Sequence, residues 1–235
     1  VAGKYYPDYY PEQPGGKIGR SIEGAIFDAR KLGALERTLR IGEIEPPIPL
    51  LSGKVASLPK AFTNAKDFNT VVGMFATGFK HKIKGERAIS IGAGLVAGLL
   101  KIAIEQGVKL RLATPLKDII FEDDQVVGVE VEHKGEKSFI QTKAVILASG
   151  GFERNPELRK KYHNVGIDWT SASPDNTGDI LLIAEKHGFD TDLLDDAWWG
   201  PATLDHNGAR KFLVYERSMP HSIIVDQEGK RYFNE

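Results

Sequence analysis

The sequence AVILASGG, at residues 144–151, is the stretch that decides the fold. Its run of five apolar residues is typical of a short, buried strand in a parallel sheet. The run opens onto a Ser-Gly-Gly turn, where glycine lets the backbone approach a bound group closely. Asn155 followed by Pro156 is typical of the start of a helix. This order of strand, turn and helix predicts an α/β fold.

Three strand-like runs precede that stretch, at residues 116–122, 126–133 and 137–142. The segments between them, at 123–125 and 134–136, are short, polar and typical of turns. Consecutive strands joined by short turns pair with their neighbours along the chain. We therefore predict a three-stranded meander.

An apolar helix is predicted over residues 94–106, followed by a strand over 108–113. Residues 92–97 read GAGLVA and match the G-x-G-x-x-A pattern of dinucleotide-binding turns. However, no carboxylate stands at the end of the following strand, where that motif needs one for the ribose. Two alternatives stay open: a true nucleotide-binding turn, or a glycine-rich helix that packs closely beneath a cofactor bound elsewhere.

Composition excludes several classes of function. The 31 Lys and Arg residues balance 32 Asp and Glu residues, and this near-neutral charge argues against a nucleic acid as partner. Cysteine is absent and the six histidines show no ligand spacing, so we predict no metal site. No apolar run approaches the ~20 residues that a membrane span needs. We expect a small-molecule substrate and a cytoplasmic location. The chain begins with Val1 instead of Met, which suggests a piece of a longer protein or a processed product.

Three motifs together resemble the flavoprotein family of fumarate reductases and 3-ketosteroid dehydrogenases. Residues 144–155 resemble that family's strand leading to Gly-Gly-Phe. Residues 176–179, Asn-Thr-Gly-Asp, resemble its Thr-Gly-Asp-Gly segment, with Ile180 in place of the final glycine. Residues 229–235, GKRYFNE, are similar to its Gly-Lys-Arg-Phe-x-Asn-Glu motif.

The resemblance implies FAD as cofactor and an α/β architecture. Residues 1–166 would be a portion of an FAD-binding, Rossmann-like domain without its N-terminal fingerprint. Residues 167–235 would begin a smaller α+β substrate-binding domain. The family places FAD beside residues that correspond here to Leu116, Ala148, Ser149, Gly150, Gly151, Asn155, Thr177, Gly178 and Asp179.

Within that family, the steroid branch is favoured by an aromatic loop at residues 7–20 and by the paired tryptophans Trp198 and Trp199. The reaction that the resemblance implies is desaturation of a ketosteroid: a tyrosine removes the proton next to the carbonyl while a hydride passes to the flavin. The candidates for the catalytic base are Tyr215, Tyr10 and Tyr9. The substrate-side candidates are Trp198, Trp199, Arg231 and Glu235.

Two other functions stay open. One is a fumarate-reductase-like enzyme for a small dicarboxylate, for which Arg231 and Glu235 would matter more than the aromatic residues. The other is an inactive binding or scaffold fragment. We expect this piece of such an enzyme to be inactive by itself, and the external electron acceptor is not assigned.

Overall fold

The computed structural model describes residues 3–6, 21–42, 48–55, 57–204, 206, 208, 210–213 and 223–231. The chain divides into two compact units, Val1–Arg111 and Leu112–Glu235. The predicted domain boundary near residue 166 falls inside the second unit and stays a prediction. Both units mix helices with small antiparallel sheets, which is consistent with a fragment of the predicted α/β class.

The first unit contains two short strand pairs and three α-helices among its described residues. Strands β1 and β2 pair with each other, as do β3 and β4. The elements in chain order are β1 (Gly3–Tyr6), β2 (Ser21–Gly24), β3 (Phe27–Asp28), a 3₁₀ helix (Ala29–Thr38), α1 (Ser52–Val55), α2 (Ala65–Ile83), β4 (Ala88–Ile89) and α3 (Ile91–Glu105).

Helix α3 is the predicted apolar helix, and it begins three residues earlier than predicted because Ser90 takes the N-cap position. Its glycines allow close packing. A Cβ on buried Gly94 would lie 3.2 Å from the carbonyl oxygen of Ile89. A Cβ on Gly24 of β2 would lie 3.1 Å from the Cα of Leu95. The close helix packing that the second alternative for residues 92–97 requires is therefore present.

The second unit is built on the predicted meander. Strands β5 (Leu116–Glu122), β6 (Gln125–His133) and β7 (Glu136–Gln141) pair antiparallel in sequence order. Their tight turns place Asp123, Asp124, Lys134 and Gly135 at positive φ, as two-residue hairpin turns need. The remaining elements are α4 (Pro156–Leu158), a π-helical turn (Arg159–His163), a 3₁₀ helix (Ile167–Trp169), α5 (Asp179–His187), β8 (Ala202–Leu204) and β9 (Arg210–Phe212).

Two predicted strands are wrong in the described part of the chain. Residues 108–113 and 144–148 carry no strand assignment, because no neighbouring described strand pairs with either segment. The apolar alternation within 144–148 nevertheless shows which face is buried. Val145 and Leu147 pack against the core of the second unit, whereas Ile146 is 93% exposed.

Helix α5 is fixed to the meander by an ionic cluster. Asp118 of β5 accepts hydrogen bonds from Lys186 and, over 2.7 Å, from His187 Nε2. These two bonds, the Lys186 bond first, lower the pKa of Asp118 to about 2. The His187 ring also stacks on Phe189, with centroids 5.7 Å apart. The same helix buries Ile183 in the core beside the sheet.

Candidate functional site

The turn at residues 149–151 presents backbone donors to solvent. Gly150 has φ +89°, a conformation that glycine adopts without steric cost. Ser149 and Gly150 are exposed, and the N–H groups of residues 149–151 donate no hydrogen bond to any described residue. Successive free amides in a turn form a concave donor surface for phosphate or hydroxyl oxygens. The turn is therefore suited to bind a group rich in oxygen.

The fold brings this turn against the second predicted segment, residues 176–179. The Gly178 N–H donates to the Gly151 carbonyl over 3.1 Å. The Asn155 side chain donates to the Thr177 carbonyl over 3.0 Å, and its oxygen caps helix α4. Asp179 begins α5 and accepts a hydrogen bond from the Thr177 hydroxyl. The two motifs, separate in sequence, thus form one continuous surface.

Two of the glycines here are required by the chain's own packing. Gly178 has φ +80°, and a Cβ on it would lie 2.6 Å from Leu158 Cδ1 and 2.8 Å from Phe152 Cβ. At Gly150 a Cβ would lie 2.7 Å from the Asn176 amide oxygen. At Gly151 it would meet the carboxylate of Glu153, also at 2.7 Å, but that carboxylate is the end of a flexible side chain.

Leu116 and Ala148 lie outside the turn at residues 149–151. Leu116 starts β5 and packs against the core of the second unit. Ala148 lies in the exposed approach to the turn. The cofactor-binding roles assigned to both residues stay predictions.

A cavity of about 400 Å³ lies within the second unit, in the size range of small-molecule sites. All three tryptophans of the sequence line it, including the two predicted substrate-side residues. The lining comprises Glu153, Arg159, Trp169, Thr170, Ser171, Ala172, Ala197, Trp198, Trp199, Gly200, Ala202, Thr203, Leu204, Arg210 and Phe212.

The other predicted residues are placed differently. Arg231 is exposed in a hairpin, bridged to Val225, and does not belong to that lining. Tyr9, Tyr10, Tyr215 and Glu235 lie outside the described residues. Their predicted roles stay predictions.

Arg159 is the cation most deeply placed in this cavity, with 2% of its surface exposed. Its Nη1 donates to His163 Nδ1 over 2.6 Å, and its guanidinium lies 5.4 Å from the centroid of the Trp199 ring. Because a guanidinium can only donate, His163 accepts at Nδ1, and its Nε2, 3.3 Å from the Asp196 carbonyl, carries the ring proton.

Sequence reasoning missed Glu153, Asn176 and Arg159. The Asn176 side chain donates to the Glu153 carboxylate over 2.9 Å, which is a further hydrogen bond between residues 176–179 and residues 144–155. The spacing of Arg159 and His163, four residues apart, was the sequence signal available for that pair. Burial of Arg159 had no such signal, since arginine is mostly exposed.

Two classes of site are absent from the part of the chain that the structure describes. No three His, Asp or Glu residues come together there as metal ligands. Within the same residues, no helix has the length and apolar character needed to cross a membrane.

Known proteins of three kinds resemble the chain. A 3-oxosteroid 1-dehydrogenase of Mycolicibacterium smegmatis is 38% identical over 98% of the chain and 42% of the relative. A 4-oxocyclohexanecarboxylate 2-dehydrogenase of Sinomonas cyclohexanicum is 33% identical over 63% of the chain and 27% of that protein. The crystal structure of 3-ketosteroid delta1-dehydrogenase from Sterolibacterium denitrificans, in complex with 1,4-androstadiene-3,17-dione, superposes with a TM-score of 0.81 and 28% identity. It covers 98% of this chain and 45% of that one, so the chain spans less than half the length of these relatives.

A family model described as "FAD binding domain" matches residues 10–235. The structure agrees with that cofactor, because the free amides of residues 149–151 and the positive φ of Gly150 suit the oxygen atoms of FAD. The cofactor predicted from the motifs is thus confirmed by the family. On a match over nearly its whole length, the chain belongs to the FAD binding domain family.

Proposed function

We propose that the protein is an FAD-dependent dehydrogenase that desaturates a carbon–carbon bond next to a ring ketone, with a steroid-like substrate. The observation that carries this proposal is the aromatic cavity of the second unit, where Trp169, Trp198, Trp199 and Phe212 line one space. Flat aromatic side chains suit a flat, apolar ring system, because they cover its surface and need no hydrogen bonds from it. The likeness to ketosteroid dehydrogenases supports the same substrate class.

Different residues of the chain would have different roles in catalysis. FAD, when bound, supplies the acceptor for the hydride. The free amides of residues 149–151 would hold oxygen atoms of that cofactor, and helix α5 would keep the neighbouring segment in place. The tryptophans, which are exposed in the structure, would orient the substrate rings by covering them. Tyr215, Tyr10 or Tyr9 would take the acidic proton next to the ketone, which a phenol does only beside donors or positive charge that lower its pKa.

A small dicarboxylate is the second candidate substrate, because Arg159 and Arg210 both line the same cavity. Guanidinium groups bind carboxylates in a bidentate manner. The aromatic walls distinguish the two candidates, since fumarate would leave most of their area uncovered. We retain the cytoplasmic location as a prediction, and the electron acceptor remains to be found by assay.

The proposal is tested by mixing the full-length, flavin-loaded protein with a ketosteroid in the absence of oxygen. We expect the visible absorption of oxidised flavin to bleach with the ketosteroid and not with succinate. Bleaching by succinate alone would establish the dicarboxylate function instead. Absence of bleaching by both, in a protein that retains flavin, would favour the scaffold alternative.

A further inference from the structure

The cavity of the second unit contains a buried cation, Arg159, that forms no ion pair with the described residues. Arg159 is 2% exposed, and the partners of its guanidinium are the neutral Nδ1 of His163 and the face of Trp199. No carboxylate of the described residues lies within the 4 Å of an ion pair. A buried ionised group is costly unless it is paired, so the described residues leave the Arg159 charge without the anion that would stabilise it.

Unused hydrogen-bond donors mark the same place. Arg159 Nε is buried and has no hydrogen-bond partner among the described residues. Arg210 also lines the cavity, and its Nε is buried without a hydrogen-bond partner among the described residues. Its Nη1 donates to the Gly208 carbonyl. Buried polar atoms are paired in the great majority of native structures. Two arginines of one cavity lining therefore each keep a buried N–H without an acceptor among the described residues, which points to a place where the described chain leaves positive charge uncompensated.

The other residues of the lining indicate which chemical groups a ligand of this cavity would have besides a hydrogen-bond acceptor. Trp169, Trp198 and Trp199 supply apolar and aromatic surface. Glu153 is the one acidic residue among the described residues of the lining, and its carboxylate accepts a hydrogen bond from the Asn176 amide over 2.9 Å. A carboxylate that accepts from Arg159, attached to a flat apolar ring system, satisfies both the cation and the aromatic walls.

We propose that the substrate of this dehydrogenase is a ring ketone that bears a carboxylate, and that Arg159 is the residue that binds this carboxylate. The inference rests on the proposed function for the ring ketone, whereas the carboxylate is assigned from the cavity alone. A neutral ketosteroid would leave the Arg159 charge without a counter-ion. A ketosteroid acid would supply one.

The test compares a ketosteroid carboxylic acid with its methyl ester, using calorimetric titration of the full-length, flavin-loaded protein. The pair of ligands differs by one negative charge, so no variant is needed for the first comparison. We expect the acid to bind at least about tenfold more tightly than the ester, as for a charge-assisted hydrogen bond in a buried site. Equal dissociation constants would overturn the proposal and would indicate that water pairs with Arg159.

Two variants then assign the preference to one residue. Arg159→Met should abolish the preference for the acid, so that the acid and the ester bind with equal dissociation constants. Lys161→Met removes one positive charge from the same segment, outside the cavity lining, and should keep the preference. An acid preference that survives Arg159→Met would overturn the assignment. Fumarate binding as tight as that of the acid would overturn the ring-ketone class.

Binding and turnover are read separately, which keeps this inference distinct from the proposed function. Dehydrogenation of the acid is followed with an artificial electron acceptor. An acid that binds through Arg159 without being oxidised would contradict the dehydrogenase proposal and leave the carboxylate site standing. Oxidation of the ester and the acid with the same KM would contradict the carboxylate site and leave the dehydrogenase standing.

Discussion

Gly178→Ala is expected to destabilise the protein by about 2–4 kcal/mol. The first part of this value is conformational: Gly178 has φ +80°, and a left-handed backbone costs an L-residue on the order of 1–2 kcal/mol. The second part is steric, because the new Cβ would lie 2.6 Å from Leu158 Cδ1 and 2.8 Å from Phe152 Cβ. Overpacking of this kind typically costs about 1–3 kcal/mol, and partial relaxation of the Leu158 side chain keeps the sum below the combined maximum.

The matched control is Gly188→Ala at the other end of the same helix. Gly188 also has positive φ, at +68°, but a Cβ there would meet nothing within 4 Å. It therefore carries the conformational part alone, about 1 kcal/mol. The difference between the two variants isolates the contact with Leu158 and Phe152.

The assay is urea-induced unfolding followed by circular dichroism, with the free energy of unfolding extrapolated to water. Gly178→Ala should lose at least about 1 kcal/mol more than Gly188→Ala. Equal losses would refute the steric reasoning. Flavin content provides an independent measurement. The Gly178 N–H donates to the Gly151 carbonyl, so a displaced Gly178 would also displace the turn at residues 149–151.

Three further predictions concern acid stability, the cofactor turn and the base. Because the pKa of Asp118 is lowered from 3.8 to about 2 in the folded state, its bonds to Lys186 and His187 stabilise the protein above pH ~4, and this contribution is lost as pH falls toward 2. Asp118→Asn should therefore flatten the unfolding free energy over that range, and an unchanged pH profile would contradict the assigned pairing. Gly151→Val should lower the flavin content of the full-length protein while leaving it folded, and normal flavin content by absorption would show that the turn is structural only. Tyr215→Phe should lower turnover by about 10²–10⁴ with little change in the steroid dissociation constant, and turnover within about threefold of the parent would place the base elsewhere.

Local signals in the sequence predicted the local structure correctly. The two short turns of the meander, the cap of α4, and the glycine at the turn of residues 149–151 are set by residues a few positions apart. Turn and cap preferences arise from backbone conformation and near-neighbour hydrogen bonds, so the sequence contains them directly. The cofactor motifs could be identified from their resemblance to the motifs of a known flavoprotein family.

The sequence could not show in this way that residues 108–113 and 144–148 carry no strand in the described part of the chain. An apolar run indicates that a segment will be buried, but a strand forms only where a partner offers its backbone hydrogen bonds. The described residues provide no such partner, and Ile146 is left exposed.

The sequence by itself determined the family, the cofactor and the meander, because each depends on residues that are close together along the chain. Only the tertiary structure decided that the turn at residues 149–151 meets residues 176–179, and that Arg159 is buried against Trp199. Arg159 and Trp199 are forty positions apart, and no local preference brings an arginine into an aromatic cavity. Their contact follows from the path of the chain, which places this cation where none of the described carboxylates forms an ion pair with it.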